Sequence, residues 1–295
     1  MAERSPDAAG LAGIYAANQR YWDSLVEVHV APEGYDLSKL RNGRGDLGPL
    51  VEAELAKLAG DLAGQRVIHL QCHFGADTLS LVQRGAVAVG VDFSPTAIAT
   101  ARDLAAELRL EQRVRFVECN LYDAPELVGE AGTFDLAFVT WGTICWLPDI
   151  RAWARVVAGF LRPGGRLYFA EGHPAAFVFD DTAPGDGSHP GWFAPYFEPG
   201  PLEIDDPSDY ANPTAQLSVS RSFSWMHPLG SVVMALIDAG LVIRFLHEHD
   251  GVPWPMFRSL VEDKDGMLRW PDRPWLPLSY SIGAEKSVEA TSATR

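Results

Sequence analysis

Between Leu50 and Glu171 the chain repeats one pattern: a short apolar run rich in β-branched residues, a turn, then an amphipathic stretch. The runs "RVIHL" (66–70), "VAVGVD" (87–92), "VRFVEC" (114–119), "FDLAFVT" (134–140) and "RLYFAE" (166–171, after an "LRPGG" turn) read as buried strands. The stretches between them read as helices. "VEAELAKLAG" has apolar residues at helical spacing and stops on Gly60. "DTLSLVQRG" has Asp77 available to cap its first turn and Gly85 beyond its end. "SPTAIATARDLAAELRL" opens with Ser94 as N-cap and Pro95 in the first helical position, and "PDIRAWARVVAGF" begins at Pro148. Regular alternation of strand and helix implies a doubly wound α/β fold, a parallel sheet with helices on both faces. Right-handed crossovers then leave few strand orders open.

The texture changes after Glu171. Residues 172–220 contain eight acidic side chains and no Lys or Arg, with many Pro and Gly and an aromatic cluster, "GWFAPYF". Disordered segments are poor in aromatics, so this insertion after strand five reads as a cap over a pocket. Regular structure resumes with a helix, "HPLGSVVMALIDAGL", and two strands, "VIRFLHEHDG" and "PLSYSIGAEK". No convincing helix joins those two strands, so they are expected to pair antiparallel. The chain therefore divides into a helical lid segment (1–49), a Rossmann-like core expected to hold the ligand (50–171), an acidic aromatic cap (172–226), the rest of the core sheet (227–286) and a disordered tail (287–295).

Charge narrows the partners. The formal net charge of −15, with no basic run to form a local patch, repels nucleic acid and anionic membranes, and neither is expected as a partner. No stretch of about 18 apolar residues is present to span a membrane. The three cysteines, Cys72, Cys119 and Cys145, have no metal-ligand spacing. His247 and His249 share a strand face but lack an evident third ligand, so no metal is expected. A soluble, cytoplasmic protein acting on a small molecule is the expectation, with the oligomeric state open.

The first strand-to-helix turn, "LQCHFGAD", is where a doubly wound fold meets its ligand. A pyrophosphate-binding fingerprint needs three glycines. Here only Gly75 is present, with Gln71 and His73 where others would stand. The turn therefore suits a nucleoside without phosphates, and Asp92 at the end of the second strand can accept both ribose hydroxyls.

Taken in order, "VIHLQCHFGAD", "VGVDFSPTAIATA", "ECNLYDAP", "FDLAFVTWGTICWLPD" and "LRPGGRLYFAE" resemble the class I S-adenosylmethionine-dependent methyltransferases. More narrowly, they are similar to bacterial small-molecule enzymes with a "HLQCHFG" first motif. The resemblance implies a seven-stranded Rossmann-like sheet with its last strand antiparallel, and S-adenosylmethionine as cofactor. By position, it puts the methionine end of the cofactor over Gln71, Cys72 and Gly75, with Thr78 nearby. Asp92 would hold the ribose, Phe93 and Ser94 would flank the adenine, and Asn120 and Leu121 would face its amino group. Thr140 and Trp141 would form the far wall, and Trp22, within "NQRYWD", a lid over the sulfonium. The superfamily usually has an acid where His69 stands, and glycines at Gln71 and His73. The Gln71 side-chain oxygen could replace the missing acid toward the cofactor's ammonium group.

Methyl transfer needs alignment first and a general base only for a tightly protonated nucleophile. His227 and His173, where cap meets sheet, are the candidate catalytic bases. Trp146, Tyr196, Phe197 and Trp225 are the candidate substrate wall, joined by Trp192 and Phe193. An aromatic, acidic cap favours a neutral or cationic aromatic or heteroaromatic acceptor, as in a tailoring step of specialised metabolism. A nicotinamide-dependent oxidoreductase, a non-catalytic nucleoside sensor and a nucleic-acid methylase are the alternatives. The turn disfavours the first of these. The charge, and "TWGTI" in place of an "NPPY"-like tetrapeptide, disfavour the last.

Overall fold

A computed structural model describes residues 6–181, 190–212 and 214–288. The repeating pattern forms α3 (Pro49–Ala59), β1 (Arg66–Leu70), α4 (Ala76–Gln83), β2 (Val87–Asp92), α5 (Pro95–Glu107), β3 (Val114–Glu118), α6 (Ala124–Val128), β4 (Phe134–Thr140), α7 (Ile150–Phe160) and β5 (Leu161–Gly172). Ahead of it lie α1 (Ala8–Val30) and the single turn α2 (Ser38–Arg41). After the cap come α8 (Leu229–Asp238), β6 (Leu241–His249) and β7 (Ser279–Lys286). The seven strands form one sheet in the order β6-β7-β5-β4-β1-β2-β3. All neighbours from β3 to β5 run parallel, while β7 runs antiparallel to both β5 and β6. The antiparallel final pair is as the missing crossover helix required.

Side chains alternate across the sheet, and this splits the core in two. Ile68, Leu70, Val89, Val139 and Phe169 face the layer holding Trp153 of α7 and Leu236 of α8. Val67, Ala88, Leu136, Phe138 and Tyr168 face Leu55 of α3 and Leu81 of α4. Trp153 is fully buried against Phe169, with ring centroids 5.0 Å apart. Truncating a side chain of this kind to Ala typically costs about 3–5 kcal/mol.

Three local expectations change. Asp77 does not cap α4: the N-cap is Gly75, in the left-handed region at φ +77. A Cβ there would lie 2.7 Å from the Phe116 ring, so packing as well as backbone conformation demands glycine. Helix α7 starts after Pro148, with Asp149 as N-cap accepting from the Ala152 amide. Strand β5 reaches back through "LRPGG" to Leu161, across a register break between Phe134 and Leu136 of β4.

The cap residues form short antiparallel pairs, Phe179–Asp180 with Gly191–Trp192, and Leu202–Asp205 with Arg221–Ser224. The long β6–β7 connection is a three-stranded miniature sheet packed on Phe257, Trp270 and Leu278. Of the expected tail, residues 289–295 lie outside the described residues.

Candidate functional site

Four strand ends and one helix enclose a cavity at the carboxyl edge of the sheet. Its floor is Gln71, after β1. One wall is Val91, Asp92 and Phe93 at the end of β2, and the next is Cys119, Asn120 and Leu121 after β3. Trp146 and Leu147, beyond β4, close the side, and Tyr15 and Asn18 of α1 form the roof.

The turn after β1 achieves its shape at a cost. Gln71 (φ 58) and His73 (φ 51) both occupy the left-handed region. These are the two positions where the resembled family has glycine. A residue with a Cβ costs roughly 1–2 kcal/mol there, so surrounding contacts must hold it. Asp92 supplies one: its Oδ2 accepts from the His73 amide at 2.8 Å, while Oδ1 accepts from the Ser94 amide at 2.9 Å. The Cys72 amide donates to Val91 O at 2.9 Å. Burial raises the Asp92 carboxyl from 3.8 to about 6, against the pull of those amides.

The Gln71 Nε2 donates to Thr143 O at 2.8 Å. That contact fixes the amide orientation, since its oxygen would repel a carbonyl. The Oε1 atom is then left buried without a protein donor. A buried carboxylate beside an unpaired amide oxygen can take a ligand's vicinal hydroxyls and its ammonium group. Asn120 caps the short turn Leu121–Asp123, its Oδ1 accepting from the Tyr122 amide at 3.0 Å. His69 is neutral: burial lowers its imidazole to about 3, and Nδ1 pairs with Thr78 Oγ1 at 2.8 Å.

Helix α1 is fastened over this cavity by polar side chains. Asn18 bridges to the cap hairpin like a strand neighbour, donating to Phe223 O at 2.8 Å and accepting from Phe223 N at 2.7 Å. Gln19 donates to Phe93 O at 2.7 Å, and Asp23 accepts from Ser94 Oγ at 2.5 Å. His29 pairs with Asp209 of the cap at 2.8 Å, both side chains fully buried. Apolar contacts complete the seal. Trp146 stacks on Tyr21 at 5.9 Å between ring centroids and meets the edge of Trp22 at 5.3 Å; Trp22 also touches the His73 ring.

The structure thus brings together Gln71, Asp92, Phe93, Asn120 and Leu121, with Trp22 against the rim. Trp146, expected on the substrate wall, is part of this cavity instead. Other expected contacts point elsewhere. Cys72 is buried beneath the turn, Gly75 meets Phe116, and Thr78 is committed to His69. Ser94 caps α5 as expected, its Oγ accepting from the Ala97 amide. Thr140 turns toward Asp77, and Trp141 packs on Trp254 on the α3 side of the sheet. Tyr15, Val91, Cys119 and Leu147 are cavity residues that were not among the candidates, and Asn18 opens the expected lid segment "NQRYWD".

Nor do the remaining substrate and base candidates converge. The Tyr196 hydroxyl accepts from the Leu229 amide, and Phe197 is 80% exposed. Trp225 and His227 line a separate groove with Glu198 and Met234. His227 Nε2 donates to Leu147 O at 2.8 Å. His173 accepts from the Ala175 amide, and its Nε2 lies 3.0 Å from Glu248 Oε1 without hydrogen-bond geometry. Burial lowers both imidazoles below the ordinary histidine value. Neither lines the cavity. His247 and His249 share one carboxylate, Glu54, at 2.7 and 3.8 Å. Among the described residues no helix is long and apolar enough to cross a membrane, and no group of three or more His, Cys, Asp or Glu side chains has metal-binding spacing.

Residues 67–165 match a family model described as a methyltransferase domain. A ubiquinone biosynthesis O-methyltransferase from Xanthomonas oryzae pv. oryzae is 33% identical over 123 residues, 40% of this chain and 48% of that one. The Bordetella avium protein of the same name is 29% identical over 138 residues, 45% and 54% of the two chains. The chain spans about half the length of the curated relatives it matches. Among solved structures, a putative S-adenosylmethionine-dependent methyltransferase from Listeria monocytogenes superposes with TM-score 0.57 at 18% identity, covering 80% of this chain and 97% of that one. A second such methyltransferase, from Mesorhizobium loti, gives 0.54 at 18% identity over 81% and 99%. Residues 67–165, which supply most of the cavity floor and walls, are therefore similar to a methyltransferase domain, and they are set in a seven-stranded Rossmann-like sheet.

Proposed function

We propose that the protein transfers a methyl group from S-adenosylmethionine to a small acceptor. The observation that carries this is the pairing, in one roofed cavity, of the Asp92 carboxylate with the donorless Gln71 Oε1. When bound, the cofactor supplies a methyl group already activated on a sulfonium. Asp92 would accept the ribose hydroxyls, and Gln71 Oε1 the ammonium hydrogens. Phe93 and Leu121 would border the adenine. The Tyr21, Trp22 and Trp146 cluster would exclude water from the reacting carbon, leaving alignment of the nucleophile as the main contribution, up to about 7–11 kcal/mol in ideal cases.

The matching relatives are named ubiquinone biosynthesis O-methyltransferases, which supports an oxygen nucleophile on a small ring. A geranyl diphosphate C-methyltransferase from Streptomyces coelicolor A3(2) shares the fold at TM-score 0.50. A diphosphate acceptor suits this chain poorly, because residues 172–220 contain no Lys or Arg. We infer a neutral or cationic aromatic or heteroaromatic acceptor. Incubating the protein with S-adenosylmethionine and a panel of phenols, heteroaromatic amines and diphosphates tests this. Formation of S-adenosylhomocysteine with the first two classes is expected. Tight binding of a dinucleotide, with no heat from either sulfur-bearing adenosine, would refute it.

A further inference from the structure

Glu171 lies at the end of β5, nearly inaccessible to solvent, and does not line the cavity. Its carboxylate is saturated by one short turn and by the amide of the residue that follows it. Oε1 accepts from the Gly142 amide at 2.6 Å and the Gly172 amide at 2.8 Å. Oε2 accepts from the Thr143 amide at 2.6 Å, the Ile144 amide at 3.1 Å and Thr143 Oγ1 at 3.1 Å. A carboxylate holding consecutive backbone amides is a strong, charge-assisted anchor. What it anchors matters, because the carbonyl of Thr143 is the acceptor for Gln71 Nε2. That contact decides where Gln71 Oε1 faces. Gln71 itself sits on strained left-handed backbone, and among the described residues its side chain has no other hydrogen-bond partner to orient it.

Resting on the methyltransferase reading, we propose that Glu171 is a positioning residue for the amino-acid end of the cofactor. It acts through the 142–144 turn, the Thr143 carbonyl and the Gln71 amide. The chain of contacts replaces an acid at the end of β1, where His69 is neutral and turned toward Thr78. It sets selectivity for a ligand bearing an ammonium group and leaves nucleoside affinity to Asp92.

Two probes separate these contributions. S-Adenosylhomocysteine has the amino acid, whereas 5′-methylthioadenosine keeps the nucleoside and thioether without it. In calorimetry the wild type should prefer the former. Gln71→Met should weaken S-adenosylhomocysteine by about ten- to hundredfold, the scale of one lost hydrogen bond to a charged group, and leave 5′-methylthioadenosine within about twofold. Glu171→Gln should show the same ligand-selective loss, and the double variant no more than the larger single loss. Should Glu171→Gln fail to fold, Thr143→Val removes one contact to Glu171 and should give a smaller loss of the same selectivity. Equal weakening of both probes, or no weakening of S-adenosylhomocysteine, would overturn the proposal. Failure of the wild type to bind either probe would overturn the methyltransferase reading with it.

Discussion

Lowering the pH from about 7 to 5 should release S-adenosylhomocysteine without unfolding the protein, through Asp92. Burial raises this carboxyl from 3.8 to about 6 in the folded, ligand-free chain. Ionised, Asp92 can accept from both ribose hydroxyls; protonated, it loses its charge and one oxygen becomes a donor, so it holds the pair much less well. At about pH 5 roughly a tenth of the carboxylates remain ionised, so affinity should fall about tenfold, or about 1.4 kcal/mol. Stability moves in the opposite direction. Between 3.8 and about 6 the folded state holds the proton and the unfolded state does not. The Asp92 term therefore stabilises the ligand-free fold as pH falls, by on the order of 3 kcal/mol over the whole window. Calorimetric titration at about pH 7, 6 and 5, with thermal melts alongside, reads both quantities. Asp92→Asn should bind weakly and lose the pH slope, and the melting temperature of the wild type relative to it should rise on acidification. Asp77, also raised to about 6 by burial, faces Thr140 outside the cavity, so Asp77→Asn should keep the slope. A wild-type affinity that stays flat from pH 7 to 5, or an Asp92→Asn variant that retains the slope, would refute the argument.

Other expectations are simpler. Asn18→Ala leaves the amide and carbonyl of Phe223 unpaired under α1, a local loss of roughly 1–3 kcal/mol for each buried group; hydrogen exchange should accelerate across Arg221–Ser224, and unchanged protection would count against this docking. Arg109 is exposed and left-handed at φ 58 just past α5, so Arg109→Gly should stabilise the fold by about 1 kcal/mol in a chemical denaturation curve. His227→Ala and His173→Ala should each lower turnover less than about tenfold, because neither ring reaches the cavity; a loss in the range of about 10²–10⁴ would reinstate a general base.

What the sequence made legible followed from period and punctuation. Strands β1 to β4 are short apolar runs ended by a polar turn, and the parallel sheet follows from the helices between them. Ser94 and Gly60 were readable because a cap is a local interaction, settled within a few residues. The place of Asp92 in the cavity was readable because an acid ending a strand of such a sheet lies at its carboxyl edge. The misplacements arose where direction depends on neighbours distant in sequence. Thr140 ends β4 and Trp141 follows it, as expected, yet Trp141 has φ 38, and its ring finds Trp254, more than a hundred residues on. The resemblance set Gly75 under the methionine end of the cofactor, but the atoms that forbid a Cβ there belong to Phe116 on β3 and Ala101 on α5. Glu171 looks like any strand-end acid, and Asn18 like a polar residue in an amphipathic helix. Their importance comes from amides brought to them by tertiary contacts, the 142–144 turn for one and Phe223 for the other. The same reasoning accounts for "QCHFG". Glycines are dispensable at positions 71 and 73 because the strain of two left-handed residues is offset by contacts from other segments. The Asp92 carboxylate holds the His73 amide and the Thr143 carbonyl holds the Gln71 side chain. A variant combining Gln71→Gly and His73→Gly should therefore relieve backbone strain and keep the Asp92 bond to the amide of residue 73, while losing the Gln71 bond to Thr143 and the Trp22–His73 ring contact.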